Sequence, residues 1–340
     1  MPVERTLTTK ERLAALVHAF AERRVLVVGD LVADQFLYGE ISRVSREAPV
    51  LILRHERTET VPGGAANCVA NLASLGARAS IIGVVGDDEA GQVLLAKLTA
   101  AGVDCGGVVV SQETRTTTKA RVLAGHAHSN RQQVIRIDYE GETQHGTAIR
   151  ARLSEHLRSA VNEADALIVS DYNYGVADSE TADFLREHAS RTKMPALVDS
   201  RFRLREFHGF TSATPNGDEV EHVLGLRLDS DDALAAAGEN LRAQLGYSSL
   251  LITRGAQGML LIEEGVRPLH LEAVGSRAAV DVTGAGDTVI AAYALALSSG
   301  ASHADAARLA NYAGGLVVMK RGTACVTAQE LLASVSQEVA

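Results

Sequence analysis

Apolar and polar positions along the 340-residue chain alternate with two periods, one helical and one extended. Thr8 to Arg24 predicts a leading amphipathic helix. Leu13, Leu16, Val17 and Phe20 make its apolar stripe, and Thr8 with Glu11 has capping-box spacing. Val25-Leu26-Val27-Val28 predicts a short buried strand, closed by Gly29-Asp30 with Asp34 beyond. Pro62-Gly63-Gly64-Ala65-Ala66-Asn67 opens a helix through Leu75, stopped by Gly76. Ser80 to Val85 predicts a second buried strand and Glu89 to Ala101 another helix. From Ile149 onward strands are expected at Ala166 to Val169, Ala196 to Val198, Leu250 to Thr253 and Met259 to Ile262. Helices are expected at 147–162, 178–190, 230–245, 284–299, 303–319 and 327–336, the last with Thr327 and Glu330 as a capping box. Strands alternating with helices argue for a parallel sheet covered on both faces.

Two segments break this rhythm. Tyr38 to Thr60 is polar and basic with one strand-like run, Val50 to Leu53. Val108 to Ile137 holds three β-rich runs, Val108 to Val110, Lys119 to Leu123 and Gln133 to Ile137. The expected organisation is one α/β core (1–37, 61–107 and 139–340) carrying a β-sheet lid inserted in two pieces (38–60 and 108–138). Ligands of such a core bind beyond the C-terminal ends of the strands. Asp30, Asp34, Asp171, Asp199 and Arg254-Gly255 all fall at strand ends.

The stretch Asp281-Val282-Thr283-Gly284-Ala285-Gly286-Asp287 precedes an apolar run, Thr288 to Leu297, free of Gly and Pro. A Gly-Ala-Gly turn opening a buried helix exposes backbone N–H groups, and the helix dipole behind them favours an anion. Asp287 falls in the first turn. If the anion is a phosphoryl group in flight, Asp287 can take the proton of an attacking hydroxyl. Taken alone, the loop is better explained by a plain turn with Asp287 complementing the dipole.

Composition narrows the classes. Hydrophobic residues make up 46% of the chain but aromatics only 4%, with no Trp, so the core must be aliphatic. A net charge of −9 argues against general binding to nucleic acid or anionic membrane. Any anionic substrate must therefore meet local basic clusters. Cys68, Cys105 and Cys325 lack metal-ligand spacing and fit a reducing compartment. The N-terminus lacks a signal pattern, and no apolar run reaches membrane-spanning length. A cytoplasmic protein acting on a small molecule is expected, with no nucleic-acid or membrane partner. His126 and His128, in a polar turn, lack a third metal ligand and are expected in solvent. A dinucleotide-dependent oxidoreductase is excluded at the first strand, which is followed by Gly29-Asp30-Leu31-Val32-Ala33-Asp34 rather than G-x-G-x-x-G.

Three motifs in order carry a resemblance. Pro62 to Asn67, with Leu72-Ala73-Ser74-Leu75-Gly76 and Gly83-Val84-Val85-Gly86-Asp87-Asp88, comes first. Thr214-Pro215-Asn216-Gly217-Asp218-Glu219 is second and Asp281 to Thr288 third. The chain resembles the ribokinase-like (PfkB) carbohydrate kinases over nearly its full length. That implies a three-layer α/β sandwich with a mainly parallel sheet and a β lid. Within the family it is most similar to D-glycero-β-D-manno-heptose-7-phosphate kinases, often the kinase half of a bifunctional kinase/adenylyltransferase. Ser42-Arg43-Val44-Ser45-Arg46-Glu47-Ala48-Pro49-Val50, Thr118 to Leu123, Gln133 to Asp138, Ser170-Asp171-Tyr172, Gln257-Gly258-Met259 and Gly322-Thr323 carry that similarity. Two departures bear on the substrate. Asn173-Tyr174-Gly175 stands where that group tends to have Lys before Gly, and Asp199-Ser200-Arg201 where it tends to read Asp-Pro-Lys. There is no His-x-Gly-His motif, so no fused adenylyltransferase half is expected.

The resemblance implies ATP as phosphoryl donor, Mg²⁺, and K⁺ near the anion hole through residues such as Asp281. It implies Asp287 as the base and Gly284, Ala285 and Gly286 as the anion hole. Asp34, Gly63, Gly64, Asn67 and Asp171 match sugar-binding positions, and Lys119 and Arg121 belong to a basic lid suited to a sugar phosphate. Asn216 and Glu219 match the element that organises Mg²⁺ through water; a Pro-started helix N-terminus explains the same residues. Thr253, Gly255, Gly258 and Asn311 match the nucleotide side. A solvated strand face is the other explanation of the lid's basic residues. Lid-to-lid pairing in the family implies a homodimer. Kinases of ribose, fructose, 2-keto-3-deoxygluconate or fructose phosphate, and a non-catalytic binding regulator, are the alternative functions. Retention of Asp287 weighs against the regulator.

Overall fold

The computed structural model describes residues 8–125, 131–141, 143–275 and 279–337; His126 and His128 lie outside them. Helix α1 (Thr9–Ala19) is capped as its sequence predicts. The Glu11 N–H donates to Thr8 Oγ1 at 3.3 Å, and the Thr8 N–H to the Glu11 carboxylate at 2.9 Å. Strand β1 (Arg24–Gly29) is followed by two long strands, β2 (Leu31–Val44) and β3 (Leu51–Gly64). Then come α2 (Ala65–Ser74), β4 (Arg78–Gly86), α3 (Glu89–Ala100), β5 (Asp104–Ser111), β6 (Thr117–Gly125) and β7 (Gln132–Tyr139). The chain continues through α4 (Thr147–Ala160), β8 (Ala166–Asp171), α5 (Ser179–Thr192), β9 (Ala196–Ser200), β10 (Ser212–Ala213), α6 (Gly217–Leu224) and α7 (Asp231–Leu245). It closes with β11 (Ser249–Thr253), β12 (Met259–Glu263), β13 (Leu269–Leu271), α8 (Ala285–Ser298), α9 (His303–Val317) and α10 (Ala328–Gln337).

The central sheet has the order β10-β9-β8-β1-β4-β5, and every pairing in it is parallel. Parallel strands must be covered on both faces, and the alternation of side chains along β1 achieves this. Val25 and Val27 enter a core with residues of α1, α2, α8 and α9; Leu26 and Val28 enter another with residues of α4, α5 and α7. The result is three layers, helix on sheet on helix. Helix α8 is the most enclosed part of the first core: Ile290 through Ala296 are all 0% exposed. Burial of a side chain such as Ile290 or Leu295 stabilises by about 1.5–3 kcal/mol. Strand β11 runs beside β10, with the Ser249 N–H donating to Thr211 O at 3.2 Å and the Thr253 N–H to Pro215 O at 2.9 Å. From there the pattern turns antiparallel through β12 and β13.

A second sheet, β3-β2-β6-β7, forms the lid. Strands β2 and β3 pair antiparallel from Leu31 opposite Gly64 to Val44 opposite Leu51. Strand β6 lies parallel to β2, with Asp34 opposite Lys119. One expectation is corrected: Val108 to Val110 belong to β5 at the edge of the central sheet, with Val108 opposite Gly83 and Val109 opposite Val84. An edge strand shows one buried and one solvent face, as a lid strand does, so its composition does not distinguish the two; Val109 is 0% and Val110 42% exposed. The lid also starts earlier than its polar composition suggests, because Asp34 already lies in β2 and Gly63 in β3. Among the described residues, no helix is long and apolar enough to cross a membrane.

The placement of β5 predicts different responses to truncation. Val109→Ala lowers the unfolding free energy by about 1.5–3 kcal/mol. Val110→Ala, on the solvent face of the same strand, changes it by less than about 0.5 kcal/mol. Urea denaturation of the two variants measures the difference, and equal losses contradict the placement.

Candidate active site

The loop that opens α8 brings Asp287 to the C-terminal end of the sheet. Gly284 is the N-cap residue, at φ 75°, and a Cβ there would overlap the Asn67 amide, so only glycine fits. Asp287 is 4% exposed. Its Oδ2 accepts a hydrogen bond from Asn67 Nδ2 at 2.7 Å, and its Oδ1 one from the Tyr172 hydroxyl at 3.2 Å. Burial raises the Asp287 carboxyl to about 7, against the pull of these two donors and with a further push from Asp34. A carboxylate half ionised near neutral pH is poised to take up a proton. The Ala285 N–H is turned back to Val282 O at 3.2 Å. That leaves Gly286 and Asp287 as the first-turn N–H groups without an intrahelical carbonyl.

The lid supplies the next wall. Asp34 is buried in β2 and ion-paired with Arg121 from β6. Gly63 faces it from β3, where a Cβ would overlap the Asp34 carboxylate. Lys119 Nζ lies 5.3 Å from the centre of the Tyr172 ring. Burial lowers the Lys119 pKa against the attraction of Asp34, and Arg201 lowers it further. Asp34, Gly63, Asn67, Lys119, Arg121 and Asp287 are therefore linked by contacts and by their charges, and Gly64 leads directly into α2.

Asp171 does not join them. Its carboxylate is held by Arg203 Nη2 at 2.7 Å and Nε at 3.3 Å, and by the Ser200 hydroxyl at 2.6 Å, with its side chain 0% exposed. No lone pair is left facing a sugar. The Arg203 that neutralises it lies in the stretch departing from the Asp-Pro-Lys pattern. The group that reaches Asp287 from this loop is Tyr172, which the sequence marks only as part of Ser170-Asp171-Tyr172, with no role of its own. Its main-chain N–H and those of Tyr174 and Val176 donate to Asp30 at 2.8, 3.0 and 3.2 Å, which fixes the loop.

On the other side of Asp287, Thr253, Gly255, Gly258, Ala285, Gly286 and Asn311 line one cavity of about 180 Å³. Asn311 shapes its wall rather than projecting into it, since its Nδ2 donates to Glu272 O at 2.6 Å. A neighbouring cleft of about 410 Å³ shares Thr253 and Gly255 and runs past Asn216 and Asp218. Asn216 and Glu219 form a capping box on α6: each side chain accepts the other's backbone N–H at 2.8 Å. Burial raises the Glu219 pKa. Asp199, at the end of β9, is pushed well above the usual carboxylate range by burial and by Asp287, Glu219 and Asp171. Two carboxylates that repel each other suit a hydrated divalent cation that also takes phosphate oxygens. Among the described residues, no three acidic, His or Cys side chains gather into a closed metal cluster. Asp281 stands apart; although partial burial opposes it, N–H bonds from Thr283 (3.0 Å) and Gly322 (2.9 Å) hold its carboxyl below the usual range.

Solved structures share this architecture at low identity. Arabidopsis thaliana ribokinase complexed with ribose and ATP matches with a TM-score of 0.72 and 19% identity, over 93% of this chain and 99% of that one. Escherichia coli phosphofructokinase-2 in complex with substrates and products matches at 0.75 and 19%, over 92% and 98%. The fold is that of the ribokinase-like proteins. Residues 22–329 match the model of the pfkB family carbohydrate kinases. The chain is 42% identical over 323 residues to bifunctional protein HldE of Alcanivorax borkumensis and 40% identical over 326 to that of Caulobacter sp., each across 95% of this chain. It spans 65% and 64% of those relatives' lengths. The chain belongs to the pfkB family of carbohydrate kinases.

The Tyr172 hydrogen bond holds the Asp287 pKa down. In Tyr172→Phe the pKa therefore rises, by roughly one unit for loss of a bond to a charged acceptor. The acid limb of the pH–kcat/KM profile moves up by that amount, with activity regained at alkaline pH. An unmoved limb removes Tyr172 from this role.

Proposed function

We propose that this chain transfers the γ-phosphoryl group of ATP to the 1-hydroxyl of D-glycero-D-manno-heptose 7-phosphate, a step toward ADP-heptose. The observation that carries the reading is the position of Asp287, in the first turn of α8, with a polar lid cluster on one side and a cavity lined by Ala285 and Gly286 on the other. On this reading Asp287 takes the hydroxyl proton as the sugar oxygen attacks phosphorus, and the bond to the departing ADP oxygen breaks. The N–H groups of Gly286 and Asp287 face the charge on the transferred group. Asp34 orients the acceptor sugar, Asn67 holds Asp287 with its amide NH₂, and Gly63 lets the sugar approach the main chain. Bound Mg²⁺ supplies charge neutralisation at the phosphates; Glu219, through water, and Asp199 are the carboxylates placed to hold it.

The choice of a sugar phosphate rests on the lid. Arg121, Arg131 and Arg136 are neutralised by Asp34, Glu56 and Asp138. Lys119, although attracted by Asp34, is repelled by the cation Arg201. An anion between them relieves the repulsion. The identity to proteins named HldE over nearly the whole chain supports the same acceptor. An ATP-consumption assay over a panel of sugars and sugar phosphates tests the reading. Heptose 7-phosphate is expected to turn over fastest. Asp287→Asn loses at least about a thousandfold in kcat with ATP affinity retained. Arg201→Ala raises KM for the sugar phosphate about tenfold, with no change for the sugar lacking phosphate. Exchanging K⁺ for choline in the same assay tests the cation expected at Asp281. Turnover with no sugar overturns the reading.

We further propose that the chain is a cytoplasmic homodimer joined through the lid. Val134, Ile135 and Ile137 on β7 are 45%, 54% and 40% exposed, and Val44, Val50 and Leu51 are exposed at the β2–β3 tip. Light scattering is expected to give about twice the 35.9 kDa chain mass, falling to the single mass in Ile135→Asp. A monomer at micromolar concentration removes the proposal.

A further inference from the structure

Asn71 lies one turn beyond Asn67 on α2 and is 0% exposed. It touches neither wall of the site, yet all of its hydrogen-bonding capacity is directed. One end of its amide receives the Thr288 hydroxyl at 3.0 Å and the Val326 backbone N–H at 3.4 Å. A backbone N–H can only donate, so that end is the carbonyl oxygen. The other end is therefore the NH₂, and it donates to Asn67 O at 3.0 Å and to Asn67 Oδ1 at 3.2 Å. Asn67 must then turn its own oxygen toward Asn71, which leaves its NH₂ for Asp287 Oδ2 at 2.7 Å and Gly284 O at 3.3 Å.

We propose that Asn71 is a positioning residue for phosphoryl transfer, the link through which the Val326 N–H compels Asn67 to present a donor to Asp287. An amide is nearly symmetric in shape, so packing alone does not choose between its two orientations. In the reversed orientation the Asn67 oxygen faces the Asp287 carboxylate, and two acceptors repel. That contact is avoided only if the carboxyl is protonated, and a protonated carboxyl takes no proton from a hydroxyl. Asn71 removes the ambiguity at a distance. The inference rests on the reading of Asp287 as the base.

A double-mutant cycle tests it. Asn71→Asp keeps the shape and the two acceptor contacts but puts an oxygen at the end facing Asn67, an acceptor when ionised and the holder of a single proton when buried neutral, so neither form makes both bonds of the amide NH₂. It is expected to lower kcat by at least roughly tenfold while the KM for ATP stays within about twofold. In an Asn67→Ala background, where the last link is missing, the same change costs less than about twofold. Thermal stability falls equally in both backgrounds. Unchanged kcat in a folded Asn71→Asp protein, or the same fold-loss in both backgrounds, overturns the proposal. If Asn71→Asp does not fold, Thr288→Val, which drops one donor to the carbonyl end and keeps the side-chain shape, carries the same cycle with a loss of roughly threefold. Wild-type turnover in Asp287→Asn instead defeats the base assignment itself, an outcome separate from any result at Asn71.

Discussion

Asp287 loses its water because it begins a helix whose next eight residues, Thr288 to Leu295, are each at most 3% exposed. A carboxylate in such a place must find donors or give up its charge. The donors come from two elements distant in sequence, Asn67 on α2 and Tyr172 beyond β8. Those two bonds require that α2, α8 and the end of β8 be packed together within a fraction of an ångström. The core on the α8 face of the sheet is what enforces that packing. In this way the aliphatic interior, chemically inert, determines the protonation behaviour of the one group proposed to act as base.

The lid obeys the same constraint. Strand β2 leaves the central sheet immediately after Asp30, and β3 returns into α2 at Gly64, where the Ala65 N–H donates to Asp30 O at 3.0 Å. Both ends of the lid are thus anchored beside the site. The register that sets Asp34 opposite Lys119 and the Arg121 ion pair place basic groups above Asp287. Acidic groups gather at Asp199 and Glu219, where burial raises both carboxyls and the charges of Asp287 and Glu219 push Asp199 further. A net charge of −9 is therefore compatible with polyanionic substrates, because the field near the site is divided between a basic lid and an acidic floor that a divalent cation can balance.

Sequence patterns were most legible where a local rule suffices. The capping boxes at Thr8 and Thr327, the buried strands Val25–Val28 and Leu167–Val169, and the glycine turn before α8 follow from propensity, periodicity and the geometry of a helix N-terminus. They failed where two environments look alike from within the chain. Val108 to Val110 has the composition of a lid strand and lies at the edge of the core sheet. Asp171 has the position of a sugar ligand and is instead consumed by Arg203 and Ser200, a contact across about thirty residues that no local signal announces. Asn71 carries no local signal within α2. Its meaning depends on Thr288 and Val326, more than two hundred residues away.

The amino-acid sequence by itself determined the alternation of the main strands and helices, the aliphatic character of the core, and the small-residue loop ahead of Asp287. These are short-range properties, set by side-chain period, steric freedom and backbone N–H groups. Which carboxylates are charged, paired or free was settled by folding. Asp34, Asp171, Asp199 and Asp287 are chemically the same residue near similar strand ends. One is bound to Arg121, one is locked by Arg203, one is crowded by negative neighbours, and one is held between an amide and a phenol. Desolvation and hydrogen-bond partners, both consequences of long-range packing, account for the difference.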